Sequence, residues 1–490
     1  MPQPHRCPLP VPLILVILLA WFPFSTTEGQ TSSLGPSQKK KIDQLFREWN
    51  RPGYPGAAIG LMHHGRLIHA RGYGEADLEH QVPIDAKTVF YMASVSKHFV
   101  SFCILLLEER GQLGLDDRIQ KFLPDFPEYE QPLTIRHFIH HTSGVRDHLT
   151  LWTLAGNSIL DHIDQRAIYD LIKRQKNLNF QPGEKYLYSN SCYFLLTKIV
   201  EKTTGLPFRV FAEREIFKPL GMKNTRFHDD VRNLIRNRAF SYSGSAGRFS
   251  NLISRFDLIG SGGLYSNIED MARWEANLLK NRLGKGSQSL IDKLQQDGIL
   301  NNGTSCGYAF GLINGTFSGR RISEHGGALL GYRTHYLRFP DQEFSVVVLA
   351  NVPPVNPGRK ARQVAAIFFG DPDREKTSGP ASAKPAKRDT GPTKNTREKT
   401  KVDLDDYVGA YYSEELDTHY LFQKQGDELL MRIQNRQLPP RRLILSKKDL
   451  WRASVGNQHF AFSRDRDSKR VNGFTLDAGR VLGLRFEKQD

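Results

Sequence analysis

The stretch YMASVSKHF, Tyr91 to Phe99, holds a serine and, three residues on, a lysine: Ser94 and Lys97. From Ser94 to Glu109 the spacing of Phe99, Val100, Cys103, Ile104 and Leu107 is helical, and Gly111 stops the run. Residues i and i+3 of a helix lie on one face, one turn apart, so Lys97 reaches the Ser94 hydroxyl. The positive end of the helix lies beside both. A lysine held there, partly desolvated, has a depressed pKa and serves as a base for a serine nucleophile. The competing reading is an N-capping serine followed by a solvated lysine. Ser-x-x-Lys arises by chance about once or twice in a chain this long. Ser37 with Lys40 is a second match, in polar sequence with no fold around it. On this stretch alone the two readings stand level.

Working outward, GAAIGLMHHGRLIHARGYG (56–74) reads as a hairpin turning at His64-Gly65. Far along the chain, THYLRFP and FSVVVLAN read as two strands joined at Pro340-Asp341-Gln342, and GRKARQVAAIFFG as a closing helix. Strands at both ends of a long helical, loop-rich middle predict one sheet assembled from distant segments and covered by helices. Residues 371–402 are rich in Pro, Lys and Thr, with too little apolar surface to offset ordering entropy, and read as a disordered basic linker. After them, 403–490 carries short strand runs around Gln425-Gly426-Asp427 and Ala478-Gly479, which predicts a small β-barrel or sandwich.

The 490 residues carry a net charge of +16. Nine Lys/Arg against three Asp/Glu fall between Arg374 and Lys401, and Lys39, Lys40 and Lys41 add three more cations. This reads as solvated basic segments; no nucleic-acid-binding motif accompanies the charge. At the start, His5 and Arg6 precede the apolar run VPLILVILLAWFPF (11–24), then STTEGQ. Fourteen apolar residues are short of the roughly 20 of a membrane span, so residues 1–29 read as a cleaved export signal. The expected location is secreted or periplasmic, with no stable membrane span after cleavage. Cys7 leaves with the signal; Cys103, Cys192 and Cys306 show no paired spacing.

Two further stretches bear on Ser94. KYLYSNSCYFLLTKIVE places Tyr188-Ser189-Asn190 in a polar turn before an apolar helix. ISEHGGALLGY places His325-Gly326-Gly327 at the end of a short strand. A serine hydrolase needs a nucleophile, a proton shuttle and an oxyanion hole, and these stretches supply the residue types. Singly, each has a plain structural reading: an edge tyrosine, a surface histidine, a glycine turn.

Together S-V-S-K, Y-S-N and H-G-G, in this order, resemble the Ser-x-x-Lys, Ser-Asp-Asn and Lys-Thr-Gly elements of the serine β-lactamase and penicillin-binding-protein superfamily. The tyrosine of the second element resembles the class C β-lactamase branch, with its D-aminopeptidase, DD-peptidase and esterase relatives. GLDDRIQKFLP, LTIRHFIHHTSGVRD and GSGGLYSNIEDMARW extend the likeness over roughly residues 38–370. The resemblance implies an α/β (α+β) fold for 30–370: an antiparallel sheet flanked by helices, with an all-α subdomain and the site in the cleft between them. LDDYVGAYY is similar to the start of the β-barrel attached to some D-aminopeptidase-like members. It also implies roles. Ser94 attacks a carbonyl and forms an acyl-enzyme; Lys97 and Tyr188 share the base role, the first acceptor being left open. Asn190 holds the substrate amide, the backbone N–H groups of Ser94 and Ala328 form the oxyanion hole, and Gly326 and Gly327 line the substrate site. His325 assists proton transfer or anchors a polar substrate end. Where the family carries lysine and a hydroxyl residue for a carboxylate, this chain has His325 and Gly326, which points away from penicillin hydrolysis and toward the D-aminopeptidase relatives.

The expected function is hydrolysis of an amide or ester, foremost in a D-amino-acid-containing peptide, by an enzyme of D-aminopeptidase or DD-carboxypeptidase type. The alternatives are a β-lactamase, a short-chain esterase, or a penicillin-binding sensor or other non-catalytic binding protein. The expected partners are a small peptide, β-lactam or ester substrate and cell-wall fragments, not nucleic acid. No cofactor is implied. A rival reading assembles zinc from His137, His140, His141, His148 and Asp147, although none of their spacings is H-E-x-x-H.

Overall fold

The structure is a computed structural model that describes residues 33–371, 402–434 and 438–489. The export signal expected at 1–29 lies outside the described residues, as does all of the expected linker except residues 371 and 402.

The hairpin of the N-terminal part forms as β1 (Ala57–His63) and β2 (Arg66–Tyr73). The late strands are β3 (Ile313–Phe317), β4 (Arg320–Leu329), β5 (Tyr332–Phe339) and β6 (Phe344–Ala350). They join in the order β3-β4-β5-β6-β1-β2, antiparallel throughout, with Ala57 opposite Ala350 and His63 opposite Phe344. Every residue of β1 and of β6 is buried, because both faces of these central strands are covered. Ala57, Ile59 and Leu61 pack with Val346 and Val348 against helices α1 (Pro36–Leu45) and, at the chain's far end, Pro357–Phe369. Ala58, Met62, Val347 and Leu349 face the other core, with Ile268 and Met271 of the helix Ile268–Leu279. Gly60 allows that close approach: a Cβ there would lie 2.4 Å from Ile268 Cγ2.

Between the two halves of the sheet lies the expected helical region. Its centre is α2 (Lys97–Glu109), buried from Lys97 through Leu107, packed against α3 (Asn190–Thr204). The sequence predicts one helix opening at Ser94. Instead Ala93–Ser96 is a 3₁₀ turn and the α-helix begins at Lys97. The change strengthens the pairing, since side chains at i and i+3 eclipse in a 3₁₀ turn.

The C-terminal part is a closed barrel of eight antiparallel strands running from Gly409 to Lys488, filled by aromatic rings such as the stacked Phe474 and Phe486, 4.5 Å apart. It docks on the helical region through a buried ion pair, Arg146 Nη1 to Glu415 Oε1 at 2.6 Å. Arg146 also donates to the Leu482 carbonyl, and Tyr420 to that of Leu154. Such a buried pair tolerates loss of neither partner.

Candidate active site

The strand Phe90–Tyr91 leads into the Ser94 turn through Ala93, whose φ of 47° lies in the left-handed region. A strained non-glycine residue just before a candidate nucleophile fits the tendency of backbone strain to collect at functional sites. The turn is braced from the sheet: Thr334 Oγ1 donates to the Met92 carbonyl at 2.8 Å. Gly327 lets β4 lie directly against it, since a Cβ there would sit 2.5 Å from Met92 O.

Lys97 is wholly buried, which removes the reading of a solvated helix residue. Its Nζ lies 3.2 Å from Ser94 Oγ, 3.0 Å from Asn190 Oδ1 and 2.6 Å from the Ser261 carbonyl. Burial first, and then the nearby Arg480 cation, hold its pKa well below the ordinary lysine value; Asp147 opposes them. A neutral amine has two N–H donors and one lone pair. Ser261 O only accepts. Asn190 presents its oxygen because its amide nitrogen donates to Asp147 Oδ2 at 2.8 Å. In the unprotonated form these two acceptors take both N–H groups, which leaves the lone pair toward Ser94 Oγ. Asp147 also accepts from the Asn190 backbone N–H at 2.8 Å, so one carboxylate fixes both the start of α3 and the orientation of the amide.

The ring of Tyr188 lies 4.8 Å from Lys97 Nζ. Its buried hydroxyl makes no hydrogen bond of ordinary geometry, yet Ser94 stands near enough to favour the phenolate; burial prevails and raises its pKa, so the phenol keeps its proton. His325 is 6.0 Å from Tyr188, ring to ring. Burial foremost pushes its pKa down, to about 3. Nδ1 donates to the Gly326 carbonyl at 2.6 Å and Nε2 lies 3.1 Å from the Tyr308 hydroxyl, so both nitrogens are occupied within the protein. β3 pairs with β4 only as far as Ile313 opposite Glu324. Beyond that point, His325, Gly326, Gly327, Ala328 and Leu329 have no strand on that edge among the described residues, and they line a cavity of about 750 Å³ with Ser94, Tyr188 and Asn190. A free strand edge offers the unpaired N–H groups that an oxyanion hole needs.

Seven of the eight expected residues, Ser94, Tyr188, Asn190, His325, Gly326, Gly327 and Ala328, line one cleft, and Lys97 is buried behind Ser94, within 3.2 Å of its hydroxyl. Ser37 and Lys40 are exposed on α1. Gly303-Thr304-Ser305-Cys306-Gly307 spells G-x-S-x-G, but Ser305 is exposed in a loop and donates to Asp297 at 2.7 Å; it sits on no strand-to-helix elbow. Three of the four histidines of the zinc reading take separate partners. His137 meets Thr134, His140 the Tyr308 carbonyl, and His141 the Ser189 N–H. Among the described residues no group of three or more His, Cys, Asp or Glu is placed to hold a metal. Sequence reasoning missed Ser261, Tyr308 and Arg480, and it met Asp147 only as a metal ligand. The signal for Ser261 was present in GSGGLYSN, whose glycines allow tight turns; Gly263 N donates to Tyr91 Oη at 2.9 Å.

The Beta-lactamase family matches residues 42–368. A D-aminopeptidase of Gluconobacter oxydans (strain 621H) is 30% identical over 302 residues, 61% of this chain and 56% of that protein. A penicillin-binding protein of Bacillus subtilis (strain 168) is 29% identical over 355 residues, 69% of this chain and 77% of that one. The chain thus matches little more than half the length of the D-aminopeptidase. Among solved structures, an octameric penicillin-binding protein homologue from Pyrococcus abyssi covers 92% of this chain and 99% of its own, with a TM-score of 0.61 at 21% identity, a likeness of fold alone. No helix among the described residues is long and apolar enough to cross a membrane. With the family match spanning both halves of the sheet and the helices between them, the chain belongs to the Beta-lactamase family.

Proposed function

We propose that the protein is an exported hydrolase, secreted or periplasmic, that forms an acyl-enzyme on Ser94 and cleaves an amide or ester, foremost in a D-amino-acid-containing peptide. The observation that carries this reading is the buried Lys97 amine, 3.2 Å from Ser94 Oγ with its other two directions taken by acceptors. In the first half-reaction Ser94 Oγ attacks the carbonyl carbon and its proton passes to Lys97 Nζ. The oxyanion is received by the N–H groups of Ser94 and Ala328. The Tyr188 phenol, which keeps its proton, gives it to the leaving nitrogen or oxygen as the carbonyl bond breaks, and is reprotonated from Lys97. Water then repeats the attack on the ester, with Ser94 as leaving group. Asn190 holds the substrate amide, and Gly326 and Gly327 keep the floor of the cleft low. His325, neutral and doubly hydrogen-bonded, shapes the site; any proton it relays passes through Tyr308. The division into 30–370 and 403–490 accompanies this proposal, the first part holding the chemistry and the barrel bordering its mouth with Asn457, Gly479 and Arg480.

Initial rates on nitrocefin, D-alanine p-nitroanilide, an acetylated D-Ala-D-Ala peptide and a short-chain nitrophenyl ester test the reading. Turnover of the D-amino-acid substrates above the others supports it. A lasting Ser94 adduct with a β-lactam and no turnover of any of the four would replace it with the sensor reading.

The pH profile is a second test. Only the unprotonated Lys97 accepts the Ser94 proton, so kcat/KM is low in acid and rises with pH through the Lys97 value. Because that value is held well below the ordinary one, the limb lies well below the range of a solvated lysine. His325, near 3, adds no limb in the neutral range. A rising limb centred near pH 10, the ordinary lysine range of about 10.4, would contradict a neutral Lys97.

A further inference from the structure

The barrel reaches the active-site cleft through Asn457 and through the turn between its last two strands, Val471–Ala478 and Val481–Lys488. The turn is held there by main-chain atoms. Asn179 Nδ2 donates to the Arg480 carbonyl at 3.0 Å, Asn179 Oδ1 accepts from Leu482 N at 2.8 Å, and Arg146 donates to the Leu482 carbonyl at 2.9 Å. The Arg480 side chain is not needed for this docking. Its guanidinium lies over the Tyr188 ring, 4.7 Å from the centroid, and the side chain is 44% exposed toward the cavity it lines.

Its nearest carboxylate among the described residues is Asp147, at 3.6 Å, too long for a hydrogen bond. Asp147 is already satisfied: Oδ2 accepts from Asn190 N and Nδ2, and Oδ1 from Thr150 N and Oγ1. The guanidinium, with five N–H donors in a planar fork, is thus stacked in place with donors to spare. The rest of the lining agrees in sign. No aspartate or glutamate lines the cavity, and its other titratable side chains apart from tyrosines are His148, His325 and His335. Nothing in this lining compensates the charge of a free ammonium group, whereas a carboxylate meets a bidentate partner.

We propose that Arg480 is a specificity residue that receives a carboxylate of the substrate beside Tyr188, so that the cleft selects anionic amides or esters over those with a free amino group. The proposal rests on the hydrolase reading above and narrows it. It also supplies, from the barrel, the cation absent at His325.

Two matched pairs test it. N-succinyl-D-alanine p-nitroanilide and its terminal amide differ in charge on the acyl side; N-acetyl-D-Ala-D-Ala and its C-terminal amide differ on the leaving side. Wild-type protein should favour the carboxylate member of at least one pair about tenfold or more in kcat/KM, chiefly through KM. Arg480→Met should bring that ratio near one, and Arg480→Glu should reverse it while improving D-alanine p-nitroanilide. Because Arg480 also lowers the Lys97 pKa, both variants alter absolute rates; the ratio within a pair cancels that effect. Calorimetric Kd values for N-succinyl-D-alanine and N-acetyl-D-Ala-D-Ala, measured on Ser94→Ala protein with and without Arg480→Met, give a readout free of turnover. At least one should weaken about tenfold. A charge preference that survives Arg480→Met, no preference in either pair, or unchanged Kd values overturns the assignment. Wild-type protein that turns over neither pair, yet loses affinity with Arg480→Met, overturns the hydrolase reading and keeps the carboxylate site.

Discussion

Ser94→Ala leaves a folded protein whose turnover is lower by roughly ten-thousandfold to a millionfold, and Lys97→Met costs nearly as much. The two effects do not add. Nζ is 3.2 Å from Oγ, and the proton leaving one is the proton arriving at the other, so the double variant is no slower than either single one. Lys97→Met suits the test because the amine is wholly buried and a thioether side chain of similar length fills the space without leaving a charge. It leaves the Ser261 carbonyl and Asn190 Oδ1 without their shared donor, a stability cost of about 1–3 kcal/mol for each buried group so orphaned. Thermal melts therefore accompany the kinetics. The internal control is the second Ser-x-x-Lys: Ser37→Ala with Lys40→Met changes exposed positions on α1 and should alter neither rate nor melting temperature. An active Ser94→Ala protein, or a Lys97→Met protein within tenfold of wild type, would end the proposal that this pair carries the chemistry.

How far these positions could be read in advance follows from where their signals lie. The Ser94-Lys97 pair is local, set by one turn of backbone, and the apolar run behind it marks the helix. Tyr188, Asn190 and the His325-Gly326-Gly327 stretch are distant in sequence, and only their order along the chain tied them to Ser94. The sheet was legible for a similar reason: the outermost hairpins carry their own turns, and the fully apolar FSVVVLA declares a strand covered on both faces. Three features were not legible. The 3₁₀ start of the helix turns on Ala93 at positive φ, and alanine gives no hint of it. Asp147 stands in a histidine-rich run where its charge suggested metal, while its partner Asn190, 43 residues away, is set by tertiary packing. Arg480 follows a glycine in an ordinary barrel turn, and only the docking of that turn over the cleft gives the side chain a function to propose.

Arg338→Met is the substitution expected to cost the most stability, roughly 3–5 kcal/mol. Arg338 stands in THYLRFP, a run that reads as an ordinary strand, yet only 2% of its side chain is exposed. It donates from Nε to both oxygens of Glu275 and from Nη2 to Oε1, across the gap between β5 and the helix Ile268–Leu279. Tyr336 donates to the same carboxylate. Removing the guanidinium strands Glu275, itself 1% exposed, with one phenol as donor. The carboxylate then takes up a proton or draws in water, and either response loosens the helix from the sheet. The damage reaches the site, because the same helix presents Trp274 to His98 and Phe99, with ring centroids 5.6 and 4.5 Å away, at the start of α2 just beyond Lys97. The effect should appear as a lower chemical-denaturation midpoint and a reduced kcat with little change in KM. Pairing Arg338→Met with Glu275→Leu removes both charges together and should recover most of the loss, since a buried ion pair replaced by apolar groups of similar volume is close to neutral. A single variant that loses less than about 1 kcal/mol, the range of an exposed pair, or a double variant no more stable than the single one, would show that the Glu275 carboxylate does not depend on Arg338 for its charge.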